Sequence, residues 1–136
     1  MYTVANRIGR LLEIRVASPF SVTDAMQLFK QIYKTMPRDK GQALVMADLR
    51  LLRIVDPEII DIVAGYMRMD NPYVERNALL LPPSGALVSI QTERLLKAQG
   101  AESRRAFHNR KDAESWLGEA CSAMEKARMK SFLDEK

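Results

Sequence analysis

Apolar and polar residues alternate first at Leu12, Ile14 and Val16, which are interrupted by Glu13 and Arg15. That period of two predicts a half-buried strand. Tyr2 to Ile8 has strand character as well, and Gly9-Arg10 supplies a turn, so the chain opens on a predicted hairpin. The pattern then changes period. Ala25, Leu28, Phe29, Ile32, Tyr33 and Met36 recur every three or four positions, as on one face of a helix. Ser21 or Thr23 can cap that helix, Asp24 suits its first turn, and Pro37 stops it.

Ala43 to Ala47 is a continuous apolar run ending at Asp48, the signature of a strand buried on both faces. Leu49 to Val55 reads as a connection. Asp56-Pro57-Glu58 then opens a second helix, with Asp56 as cap and Pro57 at the position where a missing N–H costs nothing. Ile59, Ile62, Val63, Tyr66 and Met67 line its expected inner face, and Asn71-Pro72 ends it. Asn77 to Leu81 predicts the next strand, stopped by Pro82-Pro83. Ser84 can cap a third helix carrying Leu87, Val88, Leu95 and Leu96, and Gly100 terminates it. Ser103 to Phe107 is the last predicted strand. Asn109 caps the final helix, with Asp112 placed as in a capping box and Ala113, Trp116, Leu117, Ala120, Cys121 and Met124 as its inward stripe.

The expected order is therefore ββαβαβαβα, an α/β fold with a mixed sheet of about five strands. No repeat or linker interrupts it, so residues 1–136 read as one domain. A last helix from Arg110 to Leu133 would span about 36 Å, against about 17–20 Å for a strand. Residues 125–136 should then form a C-terminal helical extension that overhangs the sheet. Met129, Phe132 and Leu133 would make it either a solvated tail or a docking surface for a second copy, giving a homodimer.

Composition narrows the function classes. The net charge of +4 is spread among interspersed signs. The only local basic cluster is Arg104, Arg105, Arg110 and Lys111, which argues against a nucleic-acid partner. No apolar run reaches the length of a membrane span, and the N-terminus lacks the pattern of a secretion signal. The single cysteine, Cys121, can form neither an internal disulfide nor a metal cluster, which suggests a cytoplasmic setting.

Three stretches resemble a known family. Leu44-Val45-Met46-Ala47-Asp48-Leu49-Arg50 is similar to a central strand ending in Asp-Leu. Ile54-Val55-Asp56-Pro57-Glu58-Ile59 sits where an Asp-Ser pair leads into a helix. Arg104-Arg105-Ala106-Phe107 followed by Asp112-Ala113-Glu114-Ser115-Trp116-Leu117 resembles the closing strand and helix. Together they resemble the STAS-like fold of anti-sigma-factor antagonists, and more closely the SpoIIAA-like family of small bacterial proteins, related to CRAL-TRIO lipid-binding domains. The resemblance implies a small regulatory protein. It also exposes a departure. In phosphorylated STAS antagonists the serine after that aspartate is the switch, whereas Pro57 stands here, followed by the fixed negative charge of Glu58. Partner binding should then be independent of that phosphoswitch.

Candidate chemistry is sparse. His108 and Cys121 are the only residues of their types, and Cys121 falls on the expected inner stripe, where a thiol is inert. No metal-ligand cluster or cofactor motif is recognisable. Asp48 and Asp56 could form a carboxylate pair for acid–base work, but a helix cap and a strand end in a solvated loop account for them more simply. Pro82-Pro83-Ser84-Gly85 lies where open α/β sheets bind ligands, so Asp48, Ser84 and Gly85 form a candidate ligand or anion site, with an ordinary turn as the simpler alternative. The expectation is a non-catalytic regulatory or scaffolding module that binds a protein partner through Arg50, Arg53, Asp56 and Glu58. A carrier of a lipid or small apolar molecule is the alternative.

Overall fold

The computed structural model describes residues 1–135. Its elements are β1 (Tyr2–Ala5), β2 (Leu11–Ala17), α1 (Val22–Thr35), β3 (Ala43–Leu51), α2 (Pro57–Asp70), β4 (Val74–Leu80), α3 (Ala86–Gln99), β5 (Arg104–Phe107), α4 (Arg110–Gly118) and α5 (Ala123–Asp134). The sheet order is β1-β2-β3-β4-β5. β1 pairs antiparallel with β2, and every other neighbouring pair is parallel. The fold is thus α/β with a mixed five-stranded sheet, as the change of period predicts.

The sheet is covered on both faces. Leu12, Ile14, Val45, Ala47 and Leu79 meet α1, α2 and α3 in one core. Leu11, Leu44, Met46 and Leu80 meet Ala113, Leu117, Met129, Phe132 and Leu133 of α4 and α5 in the other. Two helix starts are fixed by reciprocal capping boxes, Ser21 with Asp24 and Ser122 with Glu125. Asn109 caps α4 through hydrogen bonds from the amides of Lys111 and Asp112. α3 ends at Gly100, whose φ of +81° suits glycine.

The C-terminal expectation is corrected. The final helix is two helices, broken after Gly118 and restarted by the Ser122 cap. The turn is closed by hydrogen bonds from the Ala120 amide to the Leu117 carbonyl and from the Cys121 amide to the Gly118 carbonyl. α5 reverses onto the sheet, so Met129, Phe132 and Leu133 are buried against the chain's own strands and do not overhang. Met124, expected on the inner stripe, is exposed.

That reversal changes β2 and β3 as well. Glu13 and Arg15 alternate with the apolar residues as expected, but their face lies under α5, and Glu13 is buried. β3 continues through Leu51, past the expected end at Asp48, and Asp48 is buried where a solvated loop was expected. Tyr33 and Leu87, read as inward, are exposed.

Candidate functional site

Asp48 and Arg50 lie toward the carboxyl end of β3, and Arg53, Asp56, Glu58, Ser84 and Gly85 follow the carboxyl ends of β3 and β4 in the chain. Arg15 and Asp48 are register partners on adjacent parallel strands, and their side chains share the face covered by α5. Asp48 Oδ1 accepts from Arg50 Nε, and Oδ2 from Arg50 Nη2, each at 2.9 Å. Arg15 Nε donates to Asp48 Oδ2 at 3.2 Å. The two guanidiniums then donate to the end of α5, Arg15 to the Phe132 carbonyl at 2.8 Å and Arg50 to the Leu133 carbonyl at 2.7 Å. Burial works to raise the Asp48 carboxyl, but the hydrogen bonds and positive charge of Arg50, helped by Arg15, outweigh it and hold Asp48 below its ordinary value.

This arrangement corrects the reading of Asp48 as part of a ligand site. Its carboxylate is occupied by two arginines that satisfy free carbonyls at a helix C-terminus. Arg50, expected at a partner surface, is half-buried in the same cluster. Asp48 and Asp56 do not meet as a carboxylate pair; Asp48 is buried among arginines and Asp56 is exposed in the following connection.

Arg53, Asp56 and Glu58 are exposed. Asp56 stands at the N-cap position of α2, but its side chain accepts no capping hydrogen bond. Pro57 occupies the first turn as expected. Ser84 does not cap α3. Gly85 takes the N-cap position, with no side chain to offer, and the first amides of α3 have no side-chain cap.

The sequence reading missed exposed apolar residues in the β3–α2 connection and on α3. Gln91 of α3 donates from Nε2 to the Val55 carbonyl at 2.7 Å and accepts from the Val55 amide at 3.1 Å. This pair ties the β3–α2 connection to α3 at the chain neighbours of Ile54 and Ile90. Ile54 is 56% and Ile90 61% exposed, and Leu51 and Leu87 are more than half exposed too. Ile90 had signalled nothing because it falls off the inner stripe of its helix.

His108 meets Ser89 at 3.2 Å, a pairing that sequence distance conceals. His108 is exposed and, among the described residues, no carboxylate orients its ring. The pair lacks the third group of a nucleophile–base–orienter arrangement. Burial, aided by Glu125, pushes the Cys121 thiol up to about 11. No group of three or more His, Cys, Asp or Glu among the described residues is placed to hold a metal ion. No helix among them is long and apolar enough to cross a membrane.

A cavity of about 110 Å³ lies between the sheet and α1–α3. Its walls are almost wholly apolar, drawn from residues such as Leu12, Val45, Ile60, Val63 and Leu95. Asp70, Asn77 and Arg104 contribute polar groups to its lining. Arg104, read in the sequence as part of a surface basic cluster, is buried, because β5 turns it toward α2.

No protein-family model matches the chain, and no curated protein matches it.

Proposed function

We propose that the chain is a non-catalytic regulatory or scaffolding module of SpoIIAA-like, STAS-like type, which binds a protein partner at the carboxyl end of its sheet. The observation that carries this reading is that Leu51 and Ile54 at the end of β3 and beyond it, and Leu87 and Ile90 of α3, are exposed apolar residues on two segments tied together by Gln91 and Val55, with Arg53, Asp56 and Glu58 exposed in the first of them. Apolar anchors with a polar rim are the anatomy of a binding surface. The Gln91–Val55 hydrogen bonds hold the two contributing segments together before a partner arrives, which lowers the ordering cost of association. Arg50 serves this surface indirectly by fixing the end of β3. With Pro57 at the switch position, recognition proceeds without phosphorylation there. A homodimer would use the same end of the sheet, since the apolar side of α5 is already covered.

The test is chemical crosslinking and affinity capture from cells of the source organism, comparing wild type with Ile54→Lys, Ile90→Lys and Arg53→Glu. Both isoleucines are exposed, so each lysine variant should keep its stability within about 0.5 kcal/mol. A partner retained by wild type and lost from the isoleucine variants supports the surface. Identical capture by all four proteins rejects it.

A second reading, a small-ligand carrier, is favoured by the cavity beneath α1–α3. At about 110 Å³ it lies below the range of roughly 300–1,000 Å³ typical of ligand pockets. The space admits a small molecule and not a whole lipid.

A further inference from the structure

Arg104 is a buried cation whose close partners are all neutral. Its residue is 8% exposed. Nε donates to Asn71 Oδ1 and Nη1 to Asn77 Oδ1, each at 2.8 Å, and Nη2 reaches the Met67 carbonyl at 3.4 Å. Each of its three nitrogens thus has an acceptor, and of the five N–H groups of a guanidinium two are left over. Among the described residues no carboxylate forms an ion pair with Arg104, whereas Arg10, Arg15, Arg50, Arg110 and Arg128 all have one. The nearest influence of opposite sign is Asp70, which also faces Arg38 and makes no direct contact with Arg104.

Burying a charge without a counter-charge is costly. Burial works against the charged guanidinium and lowers it to about 10, against the attraction of Asp70. The same side chain lines the apolar cavity. A buried arginine that lines apolar space, with N–H groups to spare and no carboxylate in direct contact, suits an anion with an apolar body.

We propose that the cavity between the sheet and α1–α3 is a binding site for a short-chain monocarboxylate, its carboxylate on the free N–H groups of Arg104 and its tail among Val45, Met67, Leu79 and Leu95. This rests on the ligand-binding reading above and names the ligand's class. Volume sets the tail. A cavity of 150 Å³ takes benzene, so about 110 Å³ takes roughly four or five non-hydrogen atoms, with small adjustments of the walls admitting one or two more. Charge sets the head group. One guanidinium balances a single negative charge and not two, and burial raises the Asp70 carboxyl in the same lining, which weakens its competition for that cation. Planar carboxylate also matches the guanidinium fork.

The experiment is titration of the full chain with sodium acetate, propionate, butyrate and hexanoate, and with 1-butanol as the neutral counterpart, at constant ionic strength. Amide and side-chain NMR shifts report the site, and thermal stabilisation reports the affinity. Saturable shifts at β4, β5 and the Arg104 Nε–H are expected. Affinity should rise from acetate to butyrate and fall at hexanoate, with butyrate about tenfold tighter than 1-butanol. Arg104→Gln should bring that ratio near one. As Arg104→Gln could unfold the chain, Ala47→Leu, which fills the cavity and leaves Arg104 in place, should abolish binding of both molecules. Equal binding of butyrate and 1-butanol to wild type would overturn the carboxylate assignment while leaving a small-ligand cavity. No saturable binding by either would overturn both. Anion effects without dependence on chain length would mark surface screening and overturn the site.

Discussion

Arg50 grips Asp48 with two N–H groups and passes the second guanidinium nitrogen on to the Leu133 carbonyl, at 2.9, 2.9 and 2.7 Å. The carboxylate therefore acts at one remove. It orients Arg50 and Arg15 so that both can meet carbonyls at the end of α5, and the Arg15 guanidinium also lies 4.5 Å from the centre of the Phe132 ring. Asp48 sits at the end of a central strand, where an α/β protein often places functional groups. Here the geometry assigns it to holding the last helix.

Asp48→Asn should loosen that helix. Loss of the charge weakens two arginine contacts together, and the expected cost is about 2 kcal/mol by urea unfolding. Amide hydrogen exchange near residues 130–135 should quicken more than exchange in α2. Acid dependence supplies a second check. The folded-state value of Asp48 is depressed, so its contribution is present above the unfolded value and is lost as pH falls through the folded one. Asp48→Asn should therefore have a shallower acid limb, with Glu125 and Asp24, also depressed, keeping part of the slope. An unchanged limb would reject the role given to Asp48.

Glu13 makes a second clamp on α5. It is 1% exposed and accepts from Arg128 Nε and Nη2 and from Arg7 Nη1, each at 2.8 Å. Those hydrogen bonds, led by the ones to Glu13, raise the Arg128 guanidinium above its ordinary value. Glu13→Gln removes the buried charge that compensates Arg128, leaving it the exposed Glu135, and should cost about 3 kcal/mol. Pairing Glu13→Leu with Arg128→Met replaces both charges by apolar groups and should recover most of the loss. Denaturant curves for the two proteins decide the matter; equal losses would mean that packing, and not charge, sets the cost.

The strands and helices up to β5 are legible in the sequence because their signals are local: a change of period, Ser21 and Asp24, Asp56-Pro57, and Gly100. The end of the chain is not. Arg110 to Leu133 carries apolar residues at helical spacing throughout, and the break depends on Ser122 preferring to cap a new helix over continuing the old one. Missing that break makes Glu13 and Asp48 look solvated, since their cover comes from α5, more than eighty residues away in the chain. The candidate surface is half legible. Arg53, Asp56 and Glu58 are exposed as expected, but the segments that carry Ile54 and Ile90 are tied together by the Gln91–Val55 bonds, a long-range pairing that periodicity does not register. Arg104 misleads for a related reason, as a run of basic residues looks like solvated charge until a strand direction turns one inward.

Cys121 should react slowly. With its thiol pushed up to about 11, roughly one molecule in a thousand carries the thiolate at pH 8. Reaction with a disulfide reagent should be slow in buffer and accelerate at least tenfold in denaturant, where the thiol returns toward its ordinary value. Fast labelling in buffer would show that the turn between α4 and α5 opens readily.

Removing α5 separates the two accounts of the C-terminus most directly. A solvated or docking tail can be cut away and leave a folded monomer. The structure gives a different expectation, because α5 covers Leu11, Leu44 and Met46, each fully buried, and supplies Met129, Phe132 and Leu133 to the same core. It also meets the hairpin turn. Gly9 has a φ of +51°, and a side chain there would collide with the Glu125 carboxylate, which accepts from the Arg10 amide at 2.7 Å. Deleting residues 122–136 exposes three large core side chains on the sheet and removes the α5 partners of Glu13, Arg15 and Arg50, namely Arg128 and the Phe132 and Leu133 carbonyls. Each buried leucine or methionine contributes about 1.5–3 kcal/mol, so the summed loss approaches the whole stability of a protein this size. The truncated chain should be poorly soluble, bind a hydrophobic dye and lack a cooperative thermal transition. A folded monomer with dispersed amide signals would show that α5 is dispensable, and that the sheet closes by another route.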